Sequence, residues 1–346
     1  MHGIHRKAYA AFLQGIHERV RDDFYWIAGL YKGGDVPEGL ELYSFPASDW
    51  AIFTAKGSMP GSLQTLNTAV WQERMMEMKV HQIKIDFNVT EQISRFVYVY
   101  ILEADSLYLI DSGVYGCEKQ IMDYLYTIGR NKDEIKGIFL THAHPDHIGS
   151  AAWFQEHTGC RIYASEGEKS WIEDIDLQFK ERPIPNFYKL AGKSSRVDVV
   201  VKDGDVIKLE EGLTVSVIRT AGHSCDEVSY LVCDNMFIGD SVPVKGDIPI
   251  FIDEREMRET LHILKDTKGV KTYYPAWDQT YIAEMMEHKL NEAGELIDLL
   301  KKTVSESDDG GELPVLVDRV CDRLKMPMLK SNPLFSRTIE CLRQEA

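Results

Sequence analysis

Six cysteines (Cys117, Cys160, Cys225, Cys233, Cys321 and Cys341) are scattered through 346 residues with no CxxC pair, which excludes a disulfide framework and a thiolate zinc knuckle. A reducing cytoplasm is the expected compartment. Apolar runs never exceed strand length, so no membrane span is expected, and residues 1–23 are too charged for the apolar stretch of an export signal. Positive charge is scarce: 39 Lys and Arg face 55 Asp and Glu, for a net charge of −16. Nucleic acid is therefore not an expected partner, because phosphate binding needs a basic footprint. A G-x-S-x-G elbow and a glycine-rich phosphate loop are also missing, which excludes a serine hydrolase and a P-loop enzyme.

What is present is a mixed pattern. Residues 6–20 carry helical periodicity, 24–30, 42–45 and 50–55 read as strands, and 62–73 return to helix with Ser62 placed to cap it. Pro37-Glu38-Gly39, the Phe45-Pro46 step, Trp50-Ala51-Ile52-Phe53 and Gly57-Ser58-Met59-Pro60 stand in this stretch. It resembles half of the effector-binding domain of AraC-type and gyrase-inhibitor-like proteins. In that family two halves face each other across a ligand cleft. A lone half would pair with a second subunit, giving a homodimer, or would be the remnant of a fusion.

From Lys79 onward short apolar strands alternate with helices, and from Ala283 the chain is mostly helical. Three segments are expected: a half module over 1–78, a catalytic domain over 79–285 and a helical extension over 286–346.

The informative segment is 137–149, GIFLTHAHPDHIG. A buried strand runs out at Thr141 into a tight turn that presents His142, His144, Asp146 and His147. Alternation along the strand lets His142 and His144 point the same way. Imidazole and carboxylate without thiolate suit zinc, iron(II) or manganese. The bland alternative, a polar loop with unrelated histidines, does not explain four candidate ligands within six residues.

His142-x-His144-x-Asp146-His147 is similar to the signature of the metallo-β-lactamase superfamily. Asp111 before Ser112-Gly113, Thr220-Ala221-Gly222-His223-Ser224 and Phe237-Ile238-Gly239-Asp240-Ser241 resemble its first, third and fourth motifs. The resemblance implies an α+β fold, an αββα sandwich carrying the small N-terminal α+β module and the helical extension. It implies one metal on His142, His144 and His223, a second on Asp146 and His147, and Asp240 between them. One or two divalent ions are implied, zinc first. Hydrolysis would then use a metal-bound hydroxide on an ester-like small molecule, a thioester or lactone, with Asp146 as the catalytic proton carrier.

The fifth motif departs from the family. Trp277 stands where a histidine is usual, and an indole cannot bind a metal. Asp278, one residue along, is the candidate replacement ligand. Cys225, close to His223, is a further candidate, although a buried filler is the simpler reading. Residues 166–196 carry Trp171, Phe179, Phe187 and Tyr188, either as an aromatic lid or as a satellite core. A rival function is a ligand sensor whose hydrolase site is vestigial.

Overall fold

This computed structural model describes residues 78–91 and 93–344, and the backbone of 10–14, 27–30 and 41–44. The chain divides into two compact units, Met1–Met75 and Met76–Ala346. In the first, β1 (Ala10–Gln14) lies between β2 (Ile27–Leu30) and β3 (Glu41–Ser44), antiparallel to both. The helix expected over 6–20 is therefore a strand at its centre. Phe12 is in register with Gly29 on one side and Leu42 on the other, and such pairing overrides local helical periodicity. The expected strand 50–55, the helix 62–73 and the residues behind the effector-binding resemblance lie outside the described residues.

The second unit holds two six-stranded sheets. The first sheet runs in chain order from β4 (Lys79–Asn88), β5 (Ser94–Glu103) and β6 (Leu107–Ile110) to β7 (Ile135–Phe139), β8 (Arg161–Ser165) and β9 (Val199–Val201). Its first three strands are antiparallel neighbours and its last four are parallel. The second sheet contains β10 (Val206–Glu210), β11 (Leu213–Arg219), β12 (Val228–Val232), β13 (Asn235–Gly239), β14 (Thr272–Pro275) and β15 (Tyr281–Ile282).

Strand alternation explains the layering. Val97, Val99 and Ile101 of β5 pack outward under helices, while Tyr98, Tyr100 and Leu102 face the opposite sheet. Likewise Met236 and Ile238 of β13 face outward and Phe237 faces inward. Tyr100, Tyr108, Phe139 and Tyr163 meet Val215, Val217, Tyr230 and Phe237 between the sheets.

Helices cover both outer faces. Over the first sheet lie α1 (Glu118–Thr127), α2 (Pro145–Ile148), α3 (Ala151–Thr158), α4 (Glu166–Glu173), α5 (Ile175–Glu181) and α6 (Phe187–Ala191). Over the second lie α7 (Glu254–Asp266), α8 (Ala283–Ser307), α9 (Leu313–Leu324) and α10 (Pro333–Gln344). Leu290, Ile297, Val320 and Ile339 of the last three share one core with Met236 and Ile238, so these helices form part of the sandwich. The fold is α+β, in the expected αββα layers. Among the described residues no helix is long and apolar enough to cross a membrane.

Candidate metal centre

The site stands where strands of both sheets end. β6 runs into Asp111, β7 into Thr141 and His142, β11 into the turn bearing His223, and β13 into Asp240. Loops leaving strand ends are exposed enough to bind, yet anchored by the sheet. Gly239 shows how tight the junction is. Its φ is +49°, and a Cβ there would stand 2.5 Å from Glu227 Oε1 and 2.7 Å from Thr141 Oγ1. Gly222 has φ +127° and would place a Cβ 2.6 Å from the Met257 backbone. Both glycines of the third and fourth motifs are thus demanded by space as well as by backbone angle.

Three imidazoles converge. His144 Nδ1 is 2.9 Å from His142 Nε2 and 2.9 Å from His223 Nε2. One carboxylate oxygen, Asp240 Oδ2, lies 3.3 Å from His223 Nε2, 3.4 Å from His147 Nε2 and 3.9 Å from His142 Nε2. Ligand atoms of His142, His144, His223 and Asp240 all fall within 4.8 Å of one another. Asp146 Oδ2 is 3.8 Å from His147 Nε2.

The donor set suits a divalent cation on two observations. Ligand atoms about 2.0–2.1 Å from a tetrahedral ion stand roughly 3.3 Å apart, close to the spacings here. His147 Nε2 and Asp240 Oδ1 are buried and have no hydrogen-bond partner, a cost that coordination removes. Burial holds His142 and His144 well below the ordinary imidazole range, so both are neutral with lone pairs available. His147 differs. Burial pulls its pKa down, but Asp240, Asp111 and Asp146 outweigh that and hold it well above the usual value.

Supporting contacts fix the His147 and His223 rings. Asp111 accepts from the Thr141 backbone N–H at 2.8 Å through Oδ1, and its Oδ2 meets His147 Nδ1 at 2.8 Å. It does so with φ at +58°, a conformation that costs a non-glycine residue about 1 kcal/mol. His223 Nδ1 donates to the Ile250 carbonyl at 3.0 Å, which leaves Nε2 aimed at the cluster.

Two acids escaped the sequence reading. Glu168, 1% exposed, accepts from the Ala143 N–H at 2.9 Å, from Ser224 Oγ at 2.6 Å and from the Asp226 N–H at 3.0 Å. It therefore ties the His142–His144 turn to the His223 turn. Glu227, fully buried, accepts from the Asp240 N–H at 2.8 Å and stands 3.6 Å from His142 Nδ1. The available signal was position: Glu168 follows β8 closely, at the sheet edge that bears the other loops.

Asp278 is not brought into the cluster. Its Oδ2 accepts from Tyr281 Oη at 2.6 Å and pairs with Lys289 Nζ at 3.0 Å, while Oδ1 accepts from the Gln279 N–H at 2.8 Å. Both oxygens are engaged elsewhere. Trp277 forms a wall instead, its ring covered by the Arg95 guanidinium at 4.2 Å. Cys225 is exposed rather than a buried filler, and it stands outside the ligand group. None of Trp171, Phe179, Phe187 and Tyr188 lines the cavity, and the first three pack with the outer core of the first sheet, so the aromatic-lid alternative is not what residues 166–196 form. Ile172, Phe187 and Leu190 join the outer core, whereas Ile184, Pro185 and Leu190 line a cavity over the cluster.

That cavity has a volume of about 550 Å³. His144, Asp146, His223 and Asp240 form its polar floor, and Phe87, Ile93, Ile248, Trp277 and Leu334 are among its apolar walls.

An αββα sandwich with this ligand group at its strand ends defines a metallohydrolase scaffold. The sequence model of the metallo-beta-lactamase superfamily matches residues 93–274, more than half of the chain, and the chain belongs to that superfamily. Among curated relatives, the hydroxyacylglutathione hydrolase of Bradyrhizobium sp. (strain ORS 278) is 30% identical over 133 residues, covering 36% of this chain and 43% of that protein. The hydroxyacylglutathione hydrolase of Hyphomonas neptunium is 29% identical over 173 residues, covering 49% of this chain and 55% of that protein. The chain thus spans about half the length of these relatives. A metallo-beta-lactamase family protein from Thermus thermophilus superposes with a TM-score of 0.61 at 17% identity, over 77% of this chain and 93% of that one. A beta-lactamase domain protein from Burkholderia ambifaria gives 0.57 at 14% identity, over 75% and 85%. These two share the fold.

Proposed function

We propose that this chain is a metal-dependent hydrolase of ester-like carbonyl compounds, with thioesters and lactones as the substrate class. The observation that carries the reading is the convergence of His142, His144, His223, Asp240, His147 and Asp146 at the floor of a mostly apolar cavity. Zinc is the first candidate for one or two bound ions, with iron or manganese as alternatives. A bound divalent cation supplies Lewis acidity and lowers the pKa of a coordinated water towards 7.

The chain's own residues supply the rest. His142, His144 and His223 are held in the neutral, ligating form mainly by burial. Asp146 faces the cavity, where its carboxylate is placed to carry a proton to a leaving atom. Phe87, Ile93 and Ile248 exclude water and receive an acyl chain. The curated relatives are named for hydrolysis of hydroxyacylglutathione, which supports an acyl carbonyl as the point of attack. All six cysteines are free, which supports a reducing compartment such as the cytoplasm.

A sensor with a lapsed site is the second reading, favoured by Trp277 in the usual histidine position. Turnover separates the two. Hexanoyl-N-acetylcysteamine should be hydrolysed by protein loaded with zinc, iron or manganese, and His144→Ala should lower kcat/KM by about 100-fold or more with the fold retained. Unchanged turnover in that variant would retire His144 as a ligand, and no turnover of any thioester or lactone would favour the sensor.

A further inference from the structure

Arg182 follows the last turn of α5 and faces the cavity above the cluster. It is 6% exposed, and its Nη1 is buried without a hydrogen-bond partner. Among the described residues the guanidinium forms no hydrogen bond or ion pair. Burial lowers its pKa to about 10, so it is a cation at neutral pH. Asp146, Asp240 and Glu168 act on it electrostatically without bonding it, and Arg337 adds a second positive charge nearby. A buried guanidinium presents five donors, and leaving them unmet is costly.

The surrounding carboxylates do not meet that need. Glu168 is occupied by three donors from the two histidine turns. Asp146 and Asp240 are turned to the histidine cluster. The guanidinium therefore waits for an anion that arrives through the cavity, and its planar fork matches a carboxylate. We propose that Arg182 anchors a carboxylate on the substrate, so that the chain acts on acyl compounds joining an apolar segment to a carboxylate. This rests on the hydrolase reading of the same site. It narrows the substrate class to anionic members of that class.

Paired substrates test it on the metal-loaded full chain. Adipoyl- and hexanoyl-N-acetylcysteamine differ only by a carboxylate on the acyl side. Hexanoyl thioesters of 3-mercaptopropionate and N-acetylcysteamine differ chiefly by a carboxylate on the leaving thiol. The wild-type chain should prefer the anionic member of one pair by about tenfold in kcat/KM, and the pair that responds locates the carboxylate. Arg182→Gln should lower that preference by about tenfold, with Arg182→Lys intermediate because it keeps charge without the fork. Calorimetric titration of adipate into the protein as purified gives a readout independent of turnover, with Kd expected to rise about tenfold in Arg182→Gln. Equal losses on both members of each pair, with adipate affinity unchanged, would overturn the proposal. Adipate binding lost in Arg182→Gln, without turnover of any thioester by the wild type, would uphold the anion site and sink the hydrolase reading. Should Arg182→Gln fail to fold, Arg182→Lys carries the same comparisons.

Discussion

At the scale of single residues, the centre depends on acids outside the candidate ligand group. Glu168 holds two separate turns in one place by accepting the Ala143 N–H on one side and Ser224 Oγ with the Asp226 N–H on the other. Glu168→Ala would strand these buried donors, and each unmet group costs about 1–3 kcal/mol. The expected outcome is a loss of roughly 2–4 kcal/mol in unfolding free energy, together with a loss of metal affinity of about 10- to 100-fold in chelator competition. Affinity equal to wild type would show that the two turns keep their places without it. Only its closeness to β8 hints at Glu168, because an acid in the first turn of an amphipathic helix is usually a solvated, dipole-facing residue. His142, His144, Asp146 and His147 were legible as candidate ligands for the opposite reason: such residues crowded into one turn need no tertiary information. The partners of Asp278 were not legible on the same principle, since Lys289 lies in the second turn of α8 and cannot be placed by local spacing.

At the scale of elements, one polar network joins the edge of the first sheet to its helical cover. Glu103 at the end of β5 takes His81 Nε2 of β4 at 2.7 Å and Arg130 Nη1 at 3.1 Å. His81 Nδ1 meets Tyr124 Oη of α1 at 3.0 Å, and Arg130 Nε also donates to Glu134 at 2.6 Å. Partial burial raises the Glu103 pKa, but His81 and Arg130 outweigh it and bring the group below its usual 4.5. A depressed carboxyl contributes stability that is present above its unfolded pKa and is lost as pH falls through the folded one. Glu103→Gln should therefore cost about 1 kcal/mol near pH 7, and that difference should shrink steadily below pH 4.5. Melting curves from about pH 7 to about pH 3 check it, and a constant difference across that range would contradict the assignment. Strands of this unit were readable as elements because β5, β6 and β7 are short apolar runs between turns. Strand β1 was not, since only its pairing with β2 and β3 distinguishes it from a helix.

At the scale of the whole second unit, the two sheets bring distant residues together. His144 and His223 are separated by 79 positions, yet their ring nitrogens are 2.9 Å apart. Tyr230 Oη donates to the Leu140 carbonyl at 2.8 Å and the Val228 N–H to the Thr141 carbonyl at 3.0 Å, which locks β12 against the end of β7. The helices after Ala283 complete the outer core of the second sheet, and residues from Met326 to Leu334 reach the cavity. Periodicity alone shows amphipathic helices without showing what they cover. Metal content of the chain, purified without added metal, tests the centre most directly. About one equivalent or more of zinc, iron or manganese per chain is expected, falling to a small fraction in His223→Ala. A wild-type chain holding well under one equivalent, and gaining none when offered each ion, would contradict it.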